Sequence, residues 1–399
     1  MVHSIIGPSS AKTILSCRPS LLVPPAAGGD GDNTYTSQGD AAHQLIETCG
    51  LARFLGEGDS SGNPRDHVGE HINGVEVDVD MANDADIFLR EVQRIKTTHP
   101  TAEIFFERRI VHSVVGEFGG TMDCLILTDD QLWVLDFKFG MGQTVNVEDN
   151  PQLLCYAILA MDAVGKRDRV NLTVVQTRKP HPDGLVRSWS PDYSDIDEFA
   201  NTLMLCIQQY RERKARQDSG EKVYLTLIDE YNPTEDNCRF CPGKANCPAL
   251  RAMHESYTMQ TKFDPKYVAR VLETEFLVRK HIDAVKIQAE AEMADGNEVP
   301  GFKRITKYGN RRWNAEMLKA DAGQFTADLI GCCLPGTQVL APSGKLLSPA
   351  QLEKKGVERS LFEHLVERPI TGVKVVPVGD FGDDLDSQAA LDDALAALS

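Results

Sequence analysis

The chain has 399 residues, with 42 Lys+Arg against 59 Asp+Glu and a formal charge of −17. Its 42% hydrophobic and 25% charged content excludes collagen-like, coiled-coil and wholly disordered chains, and the length suffices for one large core or two smaller ones. No apolar run reaches the roughly 18–20 residues of a membrane span, and Met1 to Ser16 lacks the basic and apolar regions of a secretory signal, so the expected location is a cytoplasm with no membrane partner.

A short N-terminal element is expected to end near Cys17, followed by a loop over residues 18–40 rich in Pro, Gly, Ser and Asp. Ala42, Leu45, Ile46 and Leu51 give a helix from Ala41 to Phe54 its apolar face. The stretch Gly56 to Asn73 reads as a loop, and Ala82 to Lys96 as a helix. The pattern then becomes extended, with strands beginning at Ile104–Phe106, over Thr121–Leu127 and over Leu132–Phe139. Asn150-Pro151 supplies an N-cap and a first-turn proline, and Gly165 a stop, for the next helix. Val170–Gln176 alternates like a strand and Ile196–Arg213 like a helix, completing one α/β domain near residue 250. Val268, Val271, Leu272, Val278, Ile282, Val285 and Ala289 mark a long helix over about 265–293. Phe302–Asn314 reads as a small hairpin around Gly309. After Lys374, Asp380, Asp383, Asp384, Asp386, Asp392 and Asp393 make an acidic tail of the composition of disordered segments.

The most informative segment is Gly120-Thr121-Met122-Asp123 followed by Val134-Leu135-Asp136-Phe137-Lys138. A hairpin turning at Asp129-Asp130 pairs residues whose numbers sum to 259, so Asp123 faces Asp136. Facing carboxylates repel at such range. Period-2 alternation puts Lys138 on the face of Asp136. Two acids and one ammonium converge, which suits a hard divalent ion such as Mg²⁺ or Mn²⁺ and a lysine that orients or deprotonates a water. The plainer reading is a surface hairpin whose Lys138 offsets the acids.

Gly120-x-x-Asp123 with Asp136-x-Lys138 resembles the signature of the PD-(D/E)XK nuclease superfamily, specifically its RecB-like exonuclease branch. That branch also carries a helical Gln-x-x-x-Tyr after the lysine strand, and Gln152 and Tyr156 stand at that spacing on one helical face. An early-helix histidine, here His43, matches its additional metal ligand. The second acid is Asp136 where many members have Glu; both bind the ion. The resemblance implies a restriction-endonuclease-like α/β core, a mixed central sheet flanked by helices. It also implies that His43, Asp123, Asp136 and the Phe137 backbone carbonyl bind Mg or Mn. Lys138 then positions the water, with Gln152 and Tyr156 contacting the strand or supporting the lysine.

Cys238-Arg239-Phe240-Cys241-Pro242 and Cys247 form C-x₂-C-x₅-C, compact enough for one metal centre. Iron–sulfur members of the branch take one cysteine before the nuclease core and three after it, and Cys17 is similar to that upstream ligand. The implied set is Cys17, Cys238, Cys241 and Cys247 around a [4Fe–4S] cluster. A zinc site with His254 replacing Cys17 is the alternative. Cys49, Cys124, Cys155, Cys206, Cys332 and Cys333 read as buried thiols.

The implied organisation is a nuclease domain over 1–255, a helix and hairpin extension over 256–330, and a C-terminal segment over 331–399 with the acidic tail. The chain as a whole resembles a phage-encoded family of RecB-like proteins. The expected function is a metal-dependent DNA exonuclease of phage recombination, replication or repair, working in a bacterial host, with DNA and a single-strand annealing or replication protein as partners. The competing expectation is a non-catalytic DNA- or partner-binding scaffold. No Walker-type phosphate loop is present, so no ATPase is expected. Candidate phosphate contacts are Arg108, Arg109, Lys166, Arg167, Arg169, Arg178, Lys179, Arg311 and Arg312.

Overall fold

The computed structural model describes residues 5–26, 34–58, 60–140, 144–179, 181–258, 264–333, 336–341 and 345–379. The expected acidic tail from Asp380 onward lies outside them. The chain divides into two compact units, Met1–Ile287 and Gln288–Ser399. No helix among the described residues is long and apolar enough to cross a membrane.

The first unit is built on a five-stranded mixed sheet of order β1-β2-β3-β4-β5. Its strands are β1 (Glu103–Val111), β2 (Gly119–Leu127), β3 (Gln131–Lys138), β4 (Arg169–Gln176) and β5 (Val186–Trp189). β1, β2 and β3 pair antiparallel, β3 and β4 pair parallel, and β5 returns antiparallel. A parallel pair needs a crossover, supplied by helix α4 (Pro151–Val164), whose Asn150 side chain accepts the backbone N–H groups of Gln152 and Leu153. The sheet is covered on both faces, which is why the central strands are buried almost without alternation.

One face packs α1 (Ala11–Ser16), α4 and α5 (Tyr193–Asp218) over Leu125, Leu132, Val134 and Leu172. The other packs α2 (Thr34–Gly50) and α3 (Val79–Thr98) over Ile104, Ile126, Leu135 and Phe137. Along β2 and β3 the pleat sends Leu125 and Val134 to the first layer and Asp136, in phase with Val134, to the α4 face; in β2 the alternation breaks beyond Cys124, Met122 also packing in the first layer, and Asp123 reaches His43 of α2. The pairs Cys124↔Leu135 through Leu127↔Leu132 keep the register expected from the sequence.

Several elements differ in extent from the sequence expectation. The early helix begins at Thr34, inside the expected loop, and continues as one π-helical turn over Leu51–Leu55. The loop after it holds a 3-10 turn at Pro64–His67 and a two-residue strand pair, His71–Ile72 with Val75–Glu76. β5 was absent from the sequence reading, because four residues with one buried side chain carry little periodicity.

Helix α6 (Pro248–Thr258) follows the cysteines, and α7 (Pro265–Ala294) runs across the division between the units. In the second unit the hairpin expected over Phe302–Asn314 does not form. β6 (Phe302–Tyr308) pairs instead with β9 (Ile370–Pro377), and β7 (Arg312–Trp313) with β8 (Val366–Glu367). The physical reason is closure from outside the turn: Gly309 N–H donates to the Pro369 carbonyl, so two ribbons cross-pair with one distant segment. A separate core gathers Trp313, Phe325, Leu329, Leu352, Phe362 and Leu365.

Candidate active site

Five elements, β1, β2, β3, α2 and α4, converge at the open end of β2 and β3. Asp123 and Asp136 stand where the ladder between these strands ceases, and the Phe137 N–H donates to Asp123 Oδ2 at 2.6 Å instead of to a strand partner. Lys138 Nζ lies 3.0 Å from Asp136 Oδ1 and 2.8 Å from Oδ2. From α4, Gln152 completes a closed network. Its Oε1 accepts from Lys138 Nζ at 2.9 Å, while its Nε2 reaches Asp136 Oδ1 at 3.0 Å and the Tyr156 hydroxyl at 3.3 Å. The i, i+4 spacing of Gln152 and Tyr156 makes this possible from one helical face.

His43, from α2, points its Nδ1 at Asp123 Oδ1, 3.3 Å away, and at Glu107 Oε1, 3.6 Å away. Its ring meets Phe137 edge-on, with centroids 5.7 Å apart. Among the described residues, His43, Glu107 and Asp123 are the one group of three whose ligand atoms lie within 4.8 Å of one another. A histidine nitrogen with two carboxylates is a donor set for a divalent ion such as Mn²⁺ or Mg²⁺. Asp136 lies outside that triplet and is held by Lys138 and Gln152.

Sequence reasoning missed Glu107. The pairing on either side places it opposite Asp123, yet it is the one position of β1 missing from the ladder, and its φ is +45°. A signal was present: a glutamate interrupting the strand Ile104-Phe105-Phe106, although only the β1–β2 register assigns it to this site.

Burial pushes both aspartates upward, but not to the same end. For Asp123 the cations of His43 and Lys138 and the Phe137 N–H reverse the effect and hold it below the usual carboxylate range. Asp136 stays raised, its neighbour Asp123 adding to burial against the pull of Lys138. Burial opposes charge on His43 too, yet Asp123 and Glu107 push its pKa up to about 11. Lys138 is likewise raised despite burial, by Asp136 and Asp123, and is an ammonium at neutral pH. In the metal-free protein the two cations offset the clustered acids.

A cleft of about 760 Å³ opens beside Lys138 and Gln152, with Pro8, Ser9, Lys12 and Asn150 in its walls. The N-terminal segment forms its rim because Ile6 pairs with Phe118 at the start of β2. Gly120 matters here: a Cβ would lie 2.6 Å from Pro8 Cδ and 3.2 Å from Tyr156 Cε1.

The four cysteines singled out in the sequence line one small pocket with Val23, Tyr231 and Leu250. Cys17 caps α1, and the Asn232 N–H lies 3.5 Å from its sulfur. Lys12–Asp236 at 2.8 Å and Ser16 Oγ to Asn237 Oδ1 at 2.6 Å tie the same helix to the segment carrying Cys238. No three of these sulfurs come within 4.8 Å of one another. Tetrahedral zinc bonds of about 2.3 Å would need sulfurs roughly 4 Å apart. Burial raises all four thiols, Cys238 to about 12 and Cys241 to about 11.

Most candidate phosphate contacts are engaged within the chain. Arg178 stacks on Phe139 and pairs with Asp84, Lys166 lies over Tyr193, Arg167 binds the Thr128 carbonyl, and Arg311 and Arg312 pair with Glu353 and Glu367.

A family model described as "Protein of unknown function (DUF2800)" matches residues 3–380. Among solved structures, the chain is similar to an alkaline exonuclease from Laribacter hongkongensis, at 14% identity and a TM-score of 0.22 over 44% of this chain and 92% of that one. It is also similar to the protein SSO0001, at 16% identity and a TM-score of 0.21 over 52% of this chain and 84% of that one. Likenesses this slight carry no argument about activity.

Proposed function

The chain belongs to the DUF2800 family, and from the geometry of its first unit we propose that it is a metal-dependent deoxyribonuclease, an exonuclease of the RecB-like PD-(D/E)XK kind. The observation that carries this reading is the closed network Asp136–Lys138–Gln152–Tyr156 set beside the His43, Glu107 and Asp123 triplet. A structural hairpin has no physical need for three carboxylates, a histidine and a lysine at one strand end, since burying them costs far more than apolar packing.

His43, Glu107 and Asp123 would hold a divalent ion, joined by Asp136 and the Phe137 carbonyl as the resemblance implies. Such an ion supplies Lewis-acid polarisation of a phosphoryl oxygen and lowers the pKa of bound water. Lys138, fixed by Asp136 and the Gln152 carbonyl oxygen, presents a localised positive charge where negative charge builds on the phosphoryl group. Held as an ammonium by Asp136 and Asp123, it orients a water by donating to it. The Gln152 amide keeps Lys138 from turning onto Asp136 alone, and the Tyr156 hydroxyl closes that amide's remaining bond.

Cys17, Cys238, Cys241 and Cys247 would hold a [4Fe–4S] cluster. Four soft sulfur donors around one pocket and a backbone N–H aimed at one sulfur are the observations behind that assignment, with the resemblance. When bound, the cluster staples α1 to the segment after α5. A DNA substrate, a place in phage recombination or replication, and an annealing or replication partner belong to this proposal through the resemblance alone.

The test is incubation of the full chain with DNA in Mn²⁺, in Mg²⁺ and in EDTA. Release of nucleotides in either metal and none in EDTA is expected. Binding of DNA without hydrolysis under every condition would favour the scaffold reading.

A further inference from the structure

One cation of the first unit is buried without an anion. Arg187, on β5, is 4% exposed, and its hydrogen-bond partners among the described residues are all neutral. Nη1 donates to the Gly184 carbonyl at 2.7 Å, and Nη2 to the Val145 carbonyl at 2.9 Å and to Gln176 Oε1 at 3.0 Å. A guanidinium has five N–H groups, so three acceptors leave two unmatched. Nε is one of these, buried and without a hydrogen-bond partner.

The sheet places this charge beside the site already described. Lys138 pairs in register with Gln176, and Arg187 with Val174. Val174 packs in the first layer, so Gln176, in phase with it, and Arg187, opposite it, share the α4 face with Lys138. Two strand spacings of about 4.8 Å put Arg187 about 10 Å across the sheet from Lys138. Both line the cleft. Its other cations are matched, Lys12 by Asp236 at 2.8 Å and Lys138 by Asp136 at 2.8 Å. The wall carboxylates of Glu148, Asp149 and Asp183 are exposed, where solvent and salt screen them, and Asp183 faces His181 at 3.6 Å. The unmatched buried charge of the cleft is therefore positive.

We propose that Arg187 binds a backbone phosphate of the DNA strand, one that does not react, and so holds the strand across the cleft from Lys138. Clamping Val145 and Gly184 to β5 calls for N–H donors but for no charge, and a buried charge is costly unless an opposite one meets it. A phosphate supplies both the acceptor oxygens and the negative charge that the guanidinium lacks, in a geometry the guanidinium fork suits. The proposal rests on the nuclease reading for the identity of its ligand.

The test uses the full chain in EDTA, so that no strand is cut, with a fluorescein-labelled oligothymidine read by anisotropy. Arg187→Met and Arg187→Gln remove the charge, and the amide of the second can still donate to a carbonyl. Each is expected to bind at least about tenfold more weakly and to flatten the dependence of log affinity on log salt by about 0.7, the value of one single-strand phosphate. Arg187→Lys is expected to keep the native dependence. Neutral methylphosphonate linkages, placed one at a time along the strand, separate a contact from a clamp: at one linkage the native chain is expected to lose affinity and the neutral variants are not. Neutral variants of native circular dichroism that keep the native salt dependence and respond to every linkage as the native chain does would overturn the proposal and leave Arg187 a clamp. Should both unfold, Arg187→Lys decides: its ammonium is expected to lessen the loss at that one linkage, and a loss equal to native at every linkage would overturn the proposal. A native chain that binds no strand would overturn it as well. A native chain that gives the expected pattern yet cuts no DNA in Mn²⁺ would overturn the nuclease reading alone.

Discussion

Glu107 shows how a single residue separates a structural from a functional account. A glutamate at φ +45° inside a strand holds a conformation that costs of order 1–3 kcal/mol, and such strain persists only where surroundings impose it. Here the carboxylate gains the His43 imidazole and a place beside Asp123. Glycine occupies that backbone region freely. We therefore expect Glu107→Gly to leave folding stability unchanged or raise it by about 1 kcal/mol, while Mn²⁺ binding, followed by calorimetry, weakens at least tenfold. A variant that melts earlier and binds Mn²⁺ like the native chain would make Glu107 a structural residue. Asp123, Asp136 and Lys138 were legible because a tight turn fixes its own register. Glu107 was not, because the loop from Val111 to Gly119 hides how β1 meets β2.

At the scale of elements, local signals served where contacts are local and failed where partners are remote. Asn150-Pro151 opens α4 as its chemistry requires, and the Asp129-Asp130 turn sets the β2–β3 register, with Thr128 Oγ1 reaching Asp130 Oδ1 at 2.8 Å. Gly309 suggested a hairpin, yet the partner of β6 lies more than 60 residues on, a distance no turn motif encodes. Gly120 is explained by approach, not by backbone freedom, since Pro8 and Tyr156 fill the space of a side chain. Gly120→Ala should cost about 1–3 kcal/mol in denaturant unfolding and displace the cleft rim. An unchanged midpoint would mean the N-terminal segment yields without loss. In α7, His281 is 6% exposed, with Nδ1 2.9 Å from the Lys244 carbonyl oxygen. Burial, with His254 and Arg251, lowers its pKa below the ordinary 6.5. A folded state that refuses a proton the unfolded chain accepts keeps its stability above pH 6.5 and loses it as the pH falls below that value. The melting temperature of the native chain should drop from pH 7 to 5 more steeply than that of His281→Gln; parallel slopes would remove His281 from the account.

At the scale of the molecule, the fold class was readable because both layers of helices and the buried central strands follow from hydrophobic pattern. The division into two units falls inside α7, which runs from Pro265 to Ala294. The first unit is closed by its own N-terminal segment. α1 has Cys17 as its C-cap, and its Lys12, with Pro8 and Ser9 of the turn before it, lines the cleft. Chain purified without oxygen should absorb at about 400 nm and lose that band in Cys17→Ala; a colourless protein loaded with zinc would contradict the iron assignment.

The central claim is that the carboxylate and lysine site cuts DNA. The most direct measurement compares native protein with Asp136→Ala, matched by circular dichroism, on linear and covalently closed circular DNA in Mn²⁺ or Mg²⁺. The account predicts that the native chain degrades linear DNA from its ends and spares the circle, and that Asp136→Ala falls by at least about a thousandfold, the scale of losing a transition-state-stabilising group. Equal degradation by both proteins, or none by either while both bind DNA, would contradict it.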